Sequence, residues 1–157
     1  DDAADVPPRI PPRLHPADAL RRAHNRAWIE FSSTLLGSQF QMLMSPDRAA
    51  FDAAAAQFGG LLDRLEAELG AGPFFNGAAL ALVDCAFAPL FMRLTIMEPY
   101  LKLGAFAPRP RIQAWSERLL ARAAVQRSVV PDFAKVLIEG WRQRAPLGRE
   151  LFAGQGN

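Results

Sequence analysis

Several kinds of residue are scarce in this chain, and each scarcity excludes something. There is one cysteine, Cys85, among 157 residues, so no internal disulfide can form and a small disulfide-stapled secreted domain is excluded. Its neighbours Leu82, Val83, Ala86 and Phe87 are apolar, which predicts a buried, unreactive thiol packed as a small hydrophobe. The two histidines, His15 and His24, read as exposed side chains without the companions that a metal site or a nucleophilic relay needs. No uncharged apolar run approaches the roughly 18 residues of a membrane span, and no basic segment precedes an apolar one. Neither charge dominates: 18 Lys and Arg against 16 Asp and Glu give a net charge of +2. Arginines are spread along the chain, with Arg21 and Arg22 the one close run, and so form no stripe suited to nucleic acid. A cytoplasmic protein with no metal, no membrane and no nucleic-acid partner is expected.

What is present is apolar and helical. Half of the residues are hydrophobic and 22% are charged, enough for the core of one domain. Five prolines crowd residues 1–16, predicting an extended linker ahead of a folded unit over 17–157. The chain opens "DDAADVPP" without methionine, as a fragment or a processed product does.

Asp18 is a good N-cap for a first helix reaching about Met44, with Leu20, Ala23, Ala27, Phe31, Leu35, Ser38 and Met42 as its buried stripe and Arg22, Asn25, Arg26 and Glu30 off it. A second helix takes Ser45 as N-cap, Pro46 at its first position, Asp47 in its first turn and Gly70 as its stop. Phe51, Ala54, Ala55, Phe58, Leu62, Leu65 and Leu69 are expected to face inward. Gly59 and Gly60 inside it suggest a bend or a close helix contact, with simple tolerance of a weak spot as the alternative. The third helix, about Leu82 to Met97, is apolar on nearly every side and belongs at the centre, with a kink expected at Pro89. A fourth, Pro110 to Ala123, buries Ile112, Trp115 and Leu119. A last, Pro131 to about Gln143, presents Phe133, Val136, Leu137 and Trp141. No clean period-two alternation appears, so the fold class is all-α: a bundle of five to six helices around a buried central one.

The central helix opens with one acid. Asp84 follows Ala81 by three residues, the spacing at which a side chain folds back to the N-cap backbone N–H, and it faces the positive end of the helix dipole. Ala81 has no hydroxyl for the reciprocal bond, so only half of a capping box can form. Leu80, just before the cap, is placed to staple onto the first turn.

These residues carry a resemblance. "FFNGAALALVDCAFAP" resembles the core segment of the C-terminal helical domain of glutathione transferases, "PPRLHPADALRRAHNRAWIEF" its interdomain linker and first helix, and "IQAWSERLLARAAVQRSV" a later helix and turn. "APLFMRL" and "PDFAKVLIEGW" are most similar to omega-like members of bacterial type.

The resemblance implies a second, N-terminal thioredoxin-like domain that holds the co-substrate glutathione and the catalytic residue. Both lie outside this sequence, so the chain alone is expected to be inactive and to contribute no catalytic residue. Its implied share is the wall of a pocket for a small hydrophobic electrophile or a mixed disulfide, and part of a homodimer interface on the first two helices. The implied pocket residues are Ser38 and Gln41 late in the first helix, Arg93 in "FMRL", and Phe133 and Trp141 in the last. Arg93, inside an apolar helix, requires an anion, solvent or a cleft, and a salt bridge to Glu98 or Glu117 is the structural alternative. Trp28 and Trp115 are assigned to packing. The competing function is a non-catalytic interaction module of the same fold.

Overall fold

The computed structural model describes residues 14–153; residues 1–13 of the expected linker lie outside the described residues. Seven helices follow in order: α1 (Ala19–Leu43), α2 (Arg48–Glu68), α3 (Leu82–Leu101), α4 (Pro110–Leu120), α5 (Ala123–Gln126), α6 (Phe133–Arg144) and α7 (Gly148–Leu151). The five long helices are the five expected from periodicity. The single turns α5 and α7 are too short to show any. Among the described residues there is no strand, only an isolated bridge between Phe74 and Gly77, and no described helix is long and apolar enough to cross a membrane.

Helix α1 begins where expected, the Asp18 carboxylate accepting the Arg21 amide at 2.8 Å, but its buried face differs from the apolar stripe. Asn25, Trp28, Ser32, Leu35, Gln39 and Met42 are buried, whereas Leu20 is 82% exposed and Ala23 and Ala27 are also exposed. The ring of Trp28 decides the rotation. It packs edge-on to Phe31 at 4.9 Å and against Phe75 at 5.8 Å, and burying so large a side chain outweighs burying two alanines. Its indole N–H donates to His24 Nε2 at 3.1 Å, and the same nitrogen lies 2.9 Å from Glu68 on α2.

Helix α2 starts later than read from sequence. Asp47 is its cap, accepting from the Ala50 amide at 2.9 Å; Ser45 is instead buried and donates its hydroxyl to the Gln41 carbonyl. A carboxylate three residues before an amide captures it, and this moves the start past Pro46. The Gly59–Gly60 pair does not meet another helix. The Gly59 carbonyl accepts from Arg109 at 2.9 Å, and Arg109, only 7% exposed, also reaches Asp63 at 2.7 Å and the Ala105 carbonyl at 3.0 Å. One guanidinium thus ties α2 to the segment that leads into α4.

Helix α3 lies at the centre, against α1, α4 and α6. Val83, Phe87, Leu90, Phe91, Leu94 and Met97 are fully buried. It runs one turn beyond the expected end and closes on Lys102 in the left-handed conformation (φ 53°). Asp84 does what its spacing predicts. Its Oδ2 accepts the Ala81 amide at 2.7 Å, while Oδ1 accepts the Phe75 amide at 2.9 Å and the Trp115 indole N–H at 2.8 Å. Trp115 is therefore a hydrogen-bond donor as well as packing. The Phe75 amide is delivered by a tight turn over residues 72–77, in which Gly77 has φ 104° and a side chain on Gly72 would collide with the Gly77 backbone.

Helix α4 buries Ile112, Trp115 and Leu119 as expected but stops at Leu120, three residues early, before α5. In α6 the anchor is Ile138, at 7% exposure; Phe133, Leu137 and Trp141 are half-buried and Val136 is 53% exposed.

Candidate functional site

Contrary to the expectation of an enclosed helix, one face of α3 is open. Cys85, Pro89, Met92 and Arg93 stand four, three and one residues apart and so share that face, and together they wall a cleft of about 530 Å³. The other wall comes from Leu119 and Arg122 at the end of α4, then Val125, Ser128 and Val129 beyond it. The signal for this face was in the sequence: a proline four residues after a cysteine, and an arginine four after that, on one line of an otherwise apolar helix.

Pro89 shapes the wall chemically. It has no N–H, so the Cys85 carbonyl lacks its helical donor, and the Pro89 carbonyl in turn accepts from Arg93 Nη1 at 2.8 Å. Arg93 is half-buried, its guanidinium carbon 5.8 Å from the centre of the Phe133 ring. The alternative of a salt bridge to Glu98 or Glu117 is not what the structure shows. Glu98 accepts from the Gly104 amide at 2.6 Å and Glu117 from Gln113 at 3.1 Å. Among the described residues Arg93 and Arg122 form no ion pair.

Cys85 is exposed, not buried as its neighbours suggested, because Leu82, Cys85 and Pro89 all turn away from the core. Partial burial of the thiol against the wall pushes its pKa up from the usual 9.0; the neighbouring Asp84 charge adds to the rise, and Arg122 pulls the other way. The side chain is therefore a thiol at neutral pH.

The sequence-derived pocket residues fall in two places. Arg93 lines the cleft and Phe133 stands beside it. Trp141, two turns further along α6, packs edge-on to Phe40 of α1 at 5.7 Å. Ser38 is half-buried and Gln41 exposed on that same end of α1, and neither lines the cleft. Arg122, Cys85, Met92 and Ser128 were not picked out from the sequence and all line it.

Residues 48–118 match the family model for the glutathione S-transferase C-terminal domain. The chain has that domain's fold. It is 28% identical to glutathione S-transferase U25 of Arabidopsis thaliana over 88% of its own length and 62% of the relative's. Among solved structures, glutathione transferase Omega 3C from Trametes versicolor superposes with a TM-score of 0.66 at 26% identity, covering 78% of this chain and 55% of that one. Rice GST1 (OsGSTU1), solved in complex with glutathione, gives 0.65 at 29% identity, covering 80% and 61%. The chain thus spans about three fifths of the length of the glutathione S-transferases it matches.

Proposed function

We propose that this chain is the helical portion of a cytoplasmic glutathione transferase, and that its open α3 face forms the wall on which a hydrophobic electrophile or mixed disulfide lies while a thioredoxin-like domain outside the chain holds glutathione. The observation that carries the reading is the match of residues 48–118 together with the fold. The cleft supports it, since a volume of about 530 Å³ is that of an ordinary small-molecule site with mostly apolar walls and a few polar groups. Attack by the glutathione thiolate is chemistry for the other domain; this chain would bind and orient the acceptor and keep water from it.

The omega-like resemblance is met by one solved relative at 26% identity, and U-type plant relatives stand at 28% and 29%. The reading therefore stops at glutathione transferase and does not choose the omega type. Association as a homodimer through α1 and α2 belongs to the same proposal.

The test is kinetic. In the two-domain protein, Arg93→Ala should raise KM for the electrophile or lower kcat/KM about tenfold while leaving KM for glutathione and the melting temperature nearly unchanged. No glutathione conjugation or thiol transfer by the two-domain protein would remove the reading.

A further inference from the structure

One nitrogen at the head of α1 faces two partners that it cannot serve together. His24 Nε2 lies 3.1 Å from the Trp28 indole nitrogen, which only donates, and 2.9 Å from Glu68 Oε1, which as a carboxylate only accepts. A neutral imidazole with its proton on Nδ1 takes the Trp28 N–H and turns a lone pair towards Glu68. The imidazolium carries a proton on both nitrogens, so Nε2 donates to Glu68 and the Trp28 N–H meets another N–H. Each charge state keeps one contact and breaks the other.

Burial decides which contact the neutral ring keeps. Trp28 is 8% exposed, and a buried N–H left without an acceptor is costly. The side chains of Glu68 and His24 are 33% and 49% exposed, so water can serve the carboxylate and Nδ1–H. The neutral ring therefore holds Trp28.

The charged groups around the imidazole come from two helices. On α1, Arg21 lines the same cleft as His24, and Asp18 is engaged with the Arg21 amide. On α2, Arg64 lies one turn before Glu68, over the rings of Trp28 and Phe31 at 5.8 and 4.9 Å. The turn over residues 70–77 carries no charge and presents Phe75, 5.9 Å from the imidazole. Asp84, behind Phe75, is buried and spends its oxygens on three donors. Glu68 is the one carboxylate paired with His24 among the described residues.

We propose that His24 is a proton-operated latch. Protonated, it ties the head of α1 to Glu68, the last residue of α2, and releases the Trp28 N–H; neutral, it holds Trp28 and lets the end of α2 go. Trp28 packs on Phe75, whose amide helps to hold Asp84, so the latch acts next to the start of α3. It also forms one wall of a second cleft of about 560 Å³, with Leu20, Phe75 and residues 70–72. No residue lines both this cleft and the one on α3, and the latch does not depend on the transferase reading.

The test is a nitrogen–proton correlation spectrum of the isotope-labelled 157-residue chain, taken from about pH 8 to about pH 5.5, across the range in which an imidazole ordinarily changes charge. The indole N–H of Trp28, assigned by its loss in Trp28→Phe, is expected to move upfield and exchange faster as the pH falls. His24→Gln should abolish that movement, and His15→Gln, at the other histidine, should leave it unchanged. Double-mutant cycles by urea unfolding read the two contacts separately. The His24–Glu68 coupling, with Glu68→Gln, should change the unfolding constant about two- to fivefold at the acid end and vanish at the alkaline end. The His24–Trp28 coupling, with Trp28→Phe, should be about two- to tenfold at the alkaline end and vanish in acid.

A Trp28 signal that does not move, a movement that survives His24→Gln or is lost in His15→Gln, or couplings that are equal at the two pH values would each overturn the proposal. If Trp28→Phe is poorly folded by circular dichroism, Trp115→Phe and Trp141→Phe assign the signal by elimination, and the His24–Glu68 cycle alone carries the coupling test.

Discussion

Replacing Asp84 by alanine should be the most damaging single change in the capping region, and the structure sets its size. The carboxylate is fully buried and satisfies three donors, the amides of Ala81 and Phe75 and the indole of Trp115, at 2.7, 2.9 and 2.8 Å. A hydrogen bond to a charged group is worth about 1.5–3 kcal/mol, but the losses do not simply add, because the three donors share one acceptor and can relax together. A buried donor left unsatisfied costs about 1–3 kcal/mol, so three donors that relax together give an expected loss of about 3–5 kcal/mol. Against a total stability of about 5–15 kcal/mol it is about a fifth or more, equivalent to a fall in melting temperature on the order of 10 °C for a domain of this size. Asp84→Asn separates charge from shape. One of its atoms is an NH₂, so either Ala81 N–H or the pair Phe75 N–H and Trp115 N–H faces a donor, and the cost should be most of the alanine value despite the near-identical volume. Urea unfolding followed by tryptophan fluorescence is the assay, read as a shift in midpoint at constant slope. A loss below about 1 kcal/mol for Asp84→Ala would refute the claim that this carboxylate organises the start of α3.

Four further outcomes follow from the same geometry. Trp115→Phe keeps the ring packing and removes one donor to Asp84, so urea unfolding should show a cost of about 1.5–3 kcal/mol; a neutral result would mean the indole bond is incidental. Ala81→Ser supplies the missing hydroxyl of the capping box and should stabilise by about 1 kcal/mol in the same assay. Gly60→Ala, where a side chain would meet nothing within 4 Å in the interior of α2, should stabilise by about 0.5–1 kcal/mol, and a destabilised variant would show that the glycine serves a contact. Alkylation of Cys85 by iodoacetamide should be slower at pH 8 than that of a free cysteine and should accelerate as the pH is raised past 9, because a raised thiol pKa lowers the thiolate fraction at any given pH. Arg122→Gln should slow it further, since that arginine pulls the pKa down.

The fold was legible where one strong local rule acts alone. Asp18 at the head of α1, the acid three residues into α3, and Ile112, Trp115 and Leu119 on α4 follow from spacing, and the structure agrees at each. It was not legible where two rules compete. On α1 the apolar stripe through Leu20, Ala23 and Ala27 lost to the face carrying Trp28, Leu35 and Met42, because alanines bury little area and one tryptophan buries much. That face also carries Asn25, Ser32 and Gln39, so a count of hydrophobic residues favours the wrong side. At the head of α2 the spacing favoured Ser45 as cap, but Asp47 stands two residues on, and its carboxylate captured the free amide of Ala50.

The cleft was hidden by the same averaging. A helix that is apolar on nearly every side reads as enclosed, yet Leu82, Cys85 and Pro89 face outward here and only the pattern of small, proline and charged residues along one line marks the open face. Arg93 was recognisable because an arginine in such surroundings must have a reason, and the structure replaces the salt bridge with a backbone carbonyl and an aromatic ring. Arg122 was not recognisable, since it lies in an exposed link between α4 and α5 whose sequence reads as an ordinary solvated surface. A cleft assembled from one central helix and a distant link is a tertiary fact, and only its central-helix half is written in local spacing.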